Sequence, residues 1–319
     1  MFTLRDFHFI KLIGAGTFGR VYIVQLKHKN SPADKYYALK MLKRSLIVKL
    51  KQVTHTKNEK DILVQCRGCN FIVKLISTFV TENHFCMLME YVSGGELFSW
   101  LRKRKRLDPY TVRFYGGQII LALEFLHQRN IIFRDLKPEN VLVGKDGYIK
   151  LTDFGFAKCV EKLTYTVCGT PEYMAPEELD SDGHGREVDF WSLGILFYEM
   201  AVGLPPFYAD TNEVIYEKIC NEEPRFPSFL EPALLDLIKR LLIKDPRYRI
   251  GGIIGIREIK NHSFFYGFDW DDLEQKKMQA PIIPQVRFNG DTSNFIEYNL
   301  ANEDAGSLKT PFVKFRFDP

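Results

Sequence analysis

The stretch Phe133-Arg134-Asp135-Leu136-Lys137-Pro138-Glu139-Asn140 carries most of what this sequence says about fold and chemistry. Asp135 can accept the proton of a hydroxyl group, Lys137 can stabilise a phosphoryl group in transfer, and Asn140 can hold a metal ion. A polar turn between two strands would explain one carboxylate, but it would not explain the whole octet. The stretch indicates a phosphoryl-transfer centre, because that reaction depends on positioning and on charge neutralisation.

A second acidic motif, Asp153-Phe154-Gly155, follows residues 149–152, which are predicted to form a short strand. A carboxylate at the end of a strand can chelate Mg²⁺, because hard cations prefer oxygen ligands. The tripeptide alone is common, and its distance from Asn140 is what makes it specific. We therefore expect Asn140 and Asp153 to hold Mg²⁺.

A glycine-rich segment, Gly14-Ala15-Gly16-Thr17-Phe18-Gly19, lies between two predicted strands and is followed by Val21. Glycines let backbone N–H groups approach phosphate oxygens, because no Cβ intrudes. The same pattern occurs in dinucleotide-binding proteins, but there a helix follows the last glycine, and here a strand follows. The segment favours a hairpin that covers phosphates, with a plain glycine-rich turn as the alternative.

A lysine and a glutamate form the third candidate constellation. Lys40 ends the predicted strand at residues 35–41, and Glu59 lies in the predicted helix at residues 51–64, one turn after His55. An ion pair between Lys40 and Glu59 would hold the lysine on the α- and β-phosphates of a nucleotide. An exposed lysine at a strand end is common, so the pair indicates a nucleotide site only in combination with the other motifs.

Composition excludes few classes of protein. The chain has 319 residues, 45% of them apolar and 26% charged, with a formal net charge of +4. We find no apolar stretch long enough to span a membrane, no secretory signal and no myristoylation site. The basic run at residues 102–106 is local and most simply a solvated helix face, so we expect no nucleic-acid partner. Cys66 and Cys69 have no second ligand pair for zinc, which favours reduced thiols in the cytosol.

The pattern along the chain predicts a change of architecture near Gly94 and Gly95. Before them, strands are expected at residues 9–13, 21–24, 35–41 and 85–90. After them, helices are expected at residues 96–101, 110–127, 188–201, 211–220 and 232–242. We expect an α+β fold with a small β-rich N-lobe and hinge at residues 1–92, a helical C-lobe at residues 93–265 and an extended tail at residues 266–319.

Taken together, these motifs resemble the protein-kinase signature set in order, type and spacing. Ala175-Pro176-Glu177, Asp189 and Arg249 fit the same pattern, and the resemblance covers nearly the whole chain. Three tracts, at residues 49–60, 168–177 and 290–295, resemble the AGC group of kinases and, within it, the cAMP-dependent branch. Other AGC branches, of the cyclic-GMP-dependent or ribosomal-S6 type, remain alternatives.

The resemblance implies a bilobal serine/threonine protein kinase that uses ATP and Mg²⁺. Its catalytic residues would be Asp135, Lys137, Lys40 and Glu59, with Asn140 and Asp153 on the metal. A pseudokinase would be expected to lack Lys40, Asp135, Asn140 or Asp153, and none is lacking. The nucleotide would contact the glycine-rich segment, the strand residues Val21, Ala38 and Lys40, Met89 as gatekeeper, Glu90 and Val92 of the hinge, and Glu96.

The resemblance also implies substrates and regulation. Substrate arginines upstream of the acceptor would bind Glu96, Glu139 and Glu199. An apolar pocket for the residue after the acceptor would consist of Val167, Pro171 and Met174. Thr166 would be phosphorylated, with Thr164 as the competing site, and Arg134, Lys158 and His55 would bind the phosphate. A cAMP-binding regulatory subunit is a possible partner, and the cytoplasm, or also the nucleus, is the expected location.

Three departures from the family pattern matter. Phe133 replaces the usual His or Tyr, but with Leu63, Leu75 and Phe154 it keeps the family's regulatory stack apolar. The long N-terminal helix of some relatives has no counterpart before Phe7, so we expect its groove to be open or filled by another segment. The tail resembles an AGC tail at residues 295–298, which pass the ATP site, and at residues 312–317, whose aromatic residues dock on the small lobe. Arg316 replaces a phosphorylatable residue there, so we expect docking without a phosphate.

Overall fold

The computed structural model of this chain describes residues 2–17, 19–27, 35–180 and 182–296. A five-stranded antiparallel sheet, with strand order β1-β2-β3-β5-β4, occupies the first part of the chain. Its strands are β1 (Phe7–Ala15), β2 (Gly19–Leu26), β3 (Tyr36–Lys43), β4 (Leu75–Val80) and β5 (His84–Glu90). The four strands expected from the sequence are present, and β4 was missed.

The two faces of this sheet pack into different apolar clusters, as the side chains of strand β3 show. Tyr37 and Leu39 belong to a small outer cluster with Phe7 and Phe79, whereas Ala38 and Leu42 belong to the main core. Successive side chains of a strand point to opposite faces. Lys40 therefore lies on the same face as Ala38 and Leu42, which is the face turned towards the rest of the molecule.

Two helices connect β3 to β4, where the sequence had suggested one. They are α1 (Arg44–Lys49) and α2 (Val53–Gln65). Lys51, between them, has a φ of 55°, a left-handed conformation that ends the first helix. Helix α2 buries Glu59, Ile62 and Leu63, so its inward face carries one carboxylate among apolar side chains.

Helices dominate after residue 96. They are α3 (Leu97–Arg104), α4 (Pro109–His127), α5 (Pro176–Leu179), α6 (Glu187–Val202), α7 (Asn212–Asn221), α8 (Pro232–Leu241), α9 (Ile256–Lys260) and α10 (Trp270–Glu274). Helices α4 and α6 are buried on nearly all sides, as expected for helices that are apolar all round. Asp108 caps α4 through the Thr111 N–H at 3.0 Å, and Gly203, with a φ of 104°, ends α6.

Short strands hold the segments between α4 and α5. Strand β6 (Ile131–Ile132) pairs with β9 (Lys158–Cys159), and β7 (Val141–Val143) pairs with β8 (Ile149–Leu151). The octet therefore lies in the connection between β6 and β7, and Asp153 lies two residues after the end of β8. The sheet followed by helices and short hairpins confirms the α+β fold class.

The last described residues run back along the molecule without regular structure. Tyr148 donates a hydrogen bond to the Met278 carbonyl at 2.6 Å, and Asn294 donates one to the Ser93 carbonyl at 3.1 Å. This segment thus contacts the β7–β8 hairpin and the connection after β5. Among the described residues, no helix has the length and apolar character needed to cross a membrane.

Candidate active site

The polar side chains of the octet, residues 133–140, gather around Asp135, which is only 4% exposed. Asp135 Oδ2 accepts a hydrogen bond from Asn140 Nδ2 at 2.7 Å and lies 3.1 Å from Lys137 Nζ. Asp135 Oδ1 accepts a hydrogen bond from the Thr170 hydroxyl at 3.0 Å, and Lys137 donates to the same hydroxyl at 2.7 Å. Asp135 and Lys137 therefore converge on one hydroxyl oxygen.

A buried carboxylate fixes the backbone beneath this cluster. Asp189, on α6, accepts hydrogen bonds from the N–H groups of Phe133 and Arg134, both at 2.9 Å. His127 Nε2 lies 2.7 Å from the same carboxylate. Arg134 has a φ of 64°, and these contacts hold that unfavourable left-handed conformation in place. Asp189 thus positions the segment that carries Asp135.

The lysine of β3 joins two carboxylates from distant parts of the chain. Lys40 Nζ lies 2.6 Å from Glu59 Oε1 and 3.0 Å from Asp153 Oδ1. Burial alone would lower the pKa of Lys40, but the charges of Asp153 and Glu59 raise it above its ordinary value. The Lys40 ammonium in turn lowers the pKa of Asp153. Lys40 is therefore a cation and Asp153 an anion at neutral pH.

Asn140 and Asp153 offer the oxygen ligands that Mg²⁺ requires. The Asn140 amide nitrogen donates to the Asp135 carbonyl at 2.8 Å and to its carboxylate at 2.7 Å. Because the nitrogen is bound to Asp135, the amide oxygen is the atom left to bind a cation, and Asn140 and Asp153 line the same cavity. Among the described residues, no cluster of three His, Cys, Asp or Glu side chains forms a metal site by itself. This donor set fits a Mg²⁺ ion that takes its remaining ligands from phosphates and water.

A cavity of about 450 Å³ lies between the sheet and the helical part. The residues expected to bind a nucleotide line it, apart from Phe18, which lies outside the described residues: Gly14, Ala15, Gly16, Thr17, Gly19, Val21, Ala38, Lys40, Met89, Glu90, Val92 and Glu96. A Cβ on Gly19 would collide with the Met41 carbonyl, so this position requires glycine. The structure places the predicted nucleotide residues around one space.

Several lining residues were missed by the sequence reasoning. Leu142 on β7 and Thr152 after β8 have no motif of their own. Tyr91 donates a hydrogen bond to the Asp291 carbonyl at 2.6 Å and packs against Phe295, with 5.8 Å between the ring centroids. Phe295 also lines the cavity, where the tail was expected to pass.

The four residues of the predicted regulatory stack are all buried in the main core. Leu63 is 1% exposed and Leu75 3%, while Phe133 and Phe154 have no exposed surface. The rings of Phe133 and Phe154 meet edge to face, with centroids 4.9 Å apart. Phenylalanine at position 133 therefore keeps the octet packed against the Asp-Phe-Gly motif.

The two candidate phosphorylation sites differ in accessibility. Thr164 is 2% exposed, and its hydroxyl accepts a hydrogen bond from Lys158 at 2.9 Å. Thr166 is exposed, and its carbonyl accepts a hydrogen bond from Arg134 at 3.3 Å. His55 lies on α2 with its Nδ1 2.7 Å from Gln52 Oε1. Accessibility favours Thr166 over Thr164.

The three carboxylates expected to bind substrate arginines, those of Glu96, Glu139 and Glu199, form a group of like charge that we call the carboxylate cluster. Burial and the charge of Glu139 raise the pKa of Glu96, and burial raises the pKa values of Glu139 and Glu199. Glu199 is almost fully buried, with one oxygen 3.2 Å from Arg102 Nη2 and the other bound to the Tyr173 hydroxyl. Such a cluster is stabilised by an added cation.

The three expected apolar pocket residues have different exposures. Met174 is 3% exposed, Pro171 is half-buried and Val167 is 61% exposed. They follow one another on the segment that ends at Glu177. That end is anchored by Arg249, whose two terminal nitrogens lie 2.6 and 2.9 Å from the two oxygens of Glu177.

Comparison with known proteins identifies the family of this chain. The family model for the protein kinase domain matches residues 7–265, and the chain therefore belongs to the protein kinase family. It is an AGC-type protein kinase that is close in sequence to catalytic subunits of cAMP-dependent protein kinase. ATP is the phosphate donor of this family, with Mg²⁺.

Three relatives illustrate the similarity. The chain is 48% identical over 297 residues to the cAMP-dependent protein kinase catalytic subunit of Dictyostelium discoideum. It is 46% identical over 299 residues to the catalytic subunit PRKX of Homo sapiens and 43% identical over 299 residues to the type 3 enzyme of Saccharomyces cerevisiae. Each match covers 93% of this chain, and 45%, 82% and 74% of the respective relative. The chain thus spans less than half of the Dictyostelium protein.

Proposed function

We propose that this chain transfers the γ-phosphate of ATP to serine or threonine in proteins that carry arginine upstream of the acceptor. The observation that carries the proposal is the convergence of Asp135 and Lys137 on the Thr170 hydroxyl. A substrate hydroxyl in the same place would donate to the Asp135 carboxylate, and Lys137 would lie beside the transferring phosphate. This is the arrangement that hydroxyl phosphorylation requires.

ATP would occupy the cavity between the sheet and the helical part. Its adenine would lie between Val21 and Ala38 on one side and Leu142 on the other, next to the backbone of Glu90–Val92. Lys40, held by Glu59, would bind the α- and β-phosphates, and the glycine-rich segment would cover them. Asn140 and Asp153 would hold Mg²⁺, which neutralises phosphate charge when bound.

The carboxylate cluster supports the arginine preference. Glu96, Glu139 and Glu199 are at least half-buried and of like charge, and a guanidinium would relieve their repulsion while forming bidentate hydrogen bonds. Val167, Pro171 and Met174 would contact the residue after the acceptor. Arg102 already binds Glu199, so a substrate arginine would share this carboxylate with it.

Regulation and location extend the proposal. Phosphorylation of Thr166 would place a dianion near Arg134, which already binds the Thr166 carbonyl, and would order the segment before Glu177. A cAMP-binding regulatory subunit is the proposed partner, on the ground of similarity to catalytic subunits of cAMP-dependent kinases. A cytoplasmic location, with the nucleus as an alternative, agrees with the six cysteines being free thiols.

A peptide array with radiolabelled ATP tests this function directly. We expect label only on peptides with Ser or Thr, with enrichment of Arg at the −3 and −2 positions and of apolar residues at +1. The Asp135→Asn variant controls for contaminating kinases. ATP binding without transfer to any peptide would support a pseudokinase instead, and transfer without Arg enrichment would contradict the substrate class.

A further inference from the structure

The basic run at the end of α3 is a strongly charged surface that the proposed catalytic roles leave unused. Lys103, Arg104, Lys105 and Arg106 are all exposed, and we call these four residues the basic end of α3. The last helical residue is Arg104, so two of the four charges lie beyond the helix. The preference of a helix C-terminus for cations, which is confined to the last turn, explains only part of this charge.

Within the described part of the chain, no carboxylate lies within ion-pair distance of the basic end of α3, whereas Arg102, next to it, is paired with Glu199. Lys103 lies over the Trp100 ring and Arg106 over the Phe229 ring, at 5.6 and 4.2 Å from the ring centroids. Lys105 has a φ of 68°, a conformation that glycine would adopt without strain. The positive charge of the basic end of α3 is thus required neither by an ion pair with a carboxylate nor by the backbone conformation.

The position of this surface relates it to the carboxylate cluster. Arg102 donates to the Gly203 carbonyl at 3.2 Å as well as binding Glu199, and the Leu107 N–H donates to the Met200 carbonyl at 2.7 Å. The basic end of α3 is therefore attached to the end of α6 that carries Glu199. Glu96, at the opposite end of α3, lines the nucleotide cavity.

We propose that the basic end of α3 binds an acidic segment of the protein substrate, located N-terminal to the arginines that bind the carboxylate cluster. The proposal rests on the proposed function and deepens it by naming a second feature of the substrate. A substrate with its acceptor at Asp135 and its arginines at Glu96 and Glu199 continues away from Asp135 in the N-terminal direction. It would thus pass from a cluster of negative charge to a cluster of positive charge.

The length of α3 sets where the acidic residues should lie. A helix rises 1.5 Å per residue, so the eight residues of α3 span about 12 Å. An extended peptide covers about 3.3 Å per residue and needs about four residues for that distance. Acidic residues at about −9 to −6 would therefore meet the basic end of α3, when arginines occupy −3 and −2.

Steady-state kinetics with three matched peptides test the proposal. All three carry Arg at −3 and −2 and a Ser acceptor, and positions −9 to −6 are four glutamates, four alanines or four lysines. With wild-type enzyme at low salt, we expect a KM about 3- to 10-fold lower for the glutamate peptide than for the alanine peptide, at equal kcat, as for a few exposed ion pairs. The difference should shrink at 0.3 M salt, roughly as expected from the shorter Debye length.

Two triple variants locate the effect. Replacing Arg104, Lys105 and Arg106 with glutamine should abolish the advantage of the glutamate peptide and leave the KM of the alanine peptide unchanged. The control variant replaces Lys239, Arg257 and Lys277 with glutamine, which removes the same charge from exposed positions elsewhere. The control variant should still show a lower KM for the glutamate peptide than for the alanine peptide. If the control variant also lost this difference, net charge alone would be responsible and the proposal would be wrong.

Other outcomes separate this inference from the proposed function. Equal KM values for the three peptides, with Arg-dependent phosphorylation intact, would refute the binding of an acidic segment and leave the proposed function standing. Anisotropy of labelled peptides measures binding without catalysis, so weak turnover does not prevent the test. If the glutamate peptide shows no preference and only the wild type sediments with phosphatidylserine vesicles, the surface binds membranes and the proposal is wrong.

Discussion

The replacement Asp135→Asn tests the centre of the proposed mechanism with the smallest change of shape. The carboxylate of Asp135 receives hydrogen bonds from Asn140 and Thr170 and lies 3.1 Å from Lys137 Nζ. An asparagine keeps one acceptor oxygen but turns an NH₂ group towards one of these donors. We expect turnover to fall by about 10²–10⁴-fold, since a positioned base is lost.

This loss corresponds to about 2.7–5.4 kcal/mol in the activation barrier, at 1.36 kcal/mol per factor of ten. The effect on folding should be smaller, about 1–3 kcal/mol, because one buried donor is left facing another donor. ATP affinity should stay near that of the wild type, because Asp135 is not among the residues that line the nucleotide cavity. Chemistry, and not nucleotide binding, is therefore the step that should respond.

The assay is steady-state phosphorylation of an Arg-containing Ser peptide with radiolabelled ATP, next to a thermal-melting titration with ATP. Asp135→Ala should lose turnover to a similar extent without placing a donor against Lys137. Asp271→Asn, an exposed carboxylate on α10, is the matched control and should behave as wild type. Turnover within a few fold of wild type in both Asp135 variants would refute the assignment of Asp135.

Four further predictions follow from the same site. Asp153→Ala should abolish the Mg²⁺ dependence of ATP binding, measured by thermal melting with and without Mg²⁺, and an unchanged Mg²⁺ response would contradict the metal role. Thr166→Ala should lower activity and remove one phosphate from the active enzyme by mass spectrometry, and full activity without that phosphate would exclude it as the switch. Burial raises the pKa of Glu199, so the KM of an Arg peptide should rise as the pH falls from 7.5 to 5.5, because the protonated carboxyl no longer attracts a cation; a KM independent of pH would argue against this site. Arg249→Met should destabilise the fold by about 3–5 kcal/mol in urea unfolding, because Glu177, whose side chain is only 11% exposed, loses its partner, and the added change Glu177→Gln should restore part of the stability; no loss of stability would contradict the ion pair's structural role.

The prediction on the C-terminal aromatic residues concerns positions outside the described residues. Phe312→Ala with Phe315→Ala should lower both melting temperature and activity, because burying each ring contributes about 1.5–3 kcal/mol. Arg316 cannot be phosphorylated, so phosphatase treatment should not mimic the effect of the double replacement. Wild-type melting and activity in the double variant would leave the tail without a role in stability.

Local sequence patterns were sufficient for the elements whose periodicity is uninterrupted. Helices α4 and α6 were expected within one or two residues of their observed ends, because long apolar segments with clear termini leave few alternatives. Strand β4 was missed because a bulge between Leu75 and Ser77 breaks the period-two alternation of its side chains. The helix expected at residues 51–64 corresponds to α2, whereas the short helix α1, which ends before the left-handed residue Lys51, was missed.

The motifs identified residue types and roles, but not the contacts among them. Thr170 carries no catalytic motif, and the fold places its hydroxyl between Asp135 and Lys137. Leu142 became a cavity residue only because its strand lies beneath the nucleotide space. Such contacts depend on how separate elements pack, which periodicity along one element does not encode.

The chemical groups of the site can be read from the order of residues along the chain: an acid–base residue, two lysines, oxygen ligands and a glycine-rich segment. Which of these groups act together depends on how the elements pack against one another. Lys40 and Asp153 are 113 positions apart, and their ion pair exists because β3 faces the end of β8 across the cleft. The structure also turned an ordinary basic run into a surface beside Glu199. In both cases burial of apolar side chains in the core brings the charges together, and the charges then determine what the site can bind.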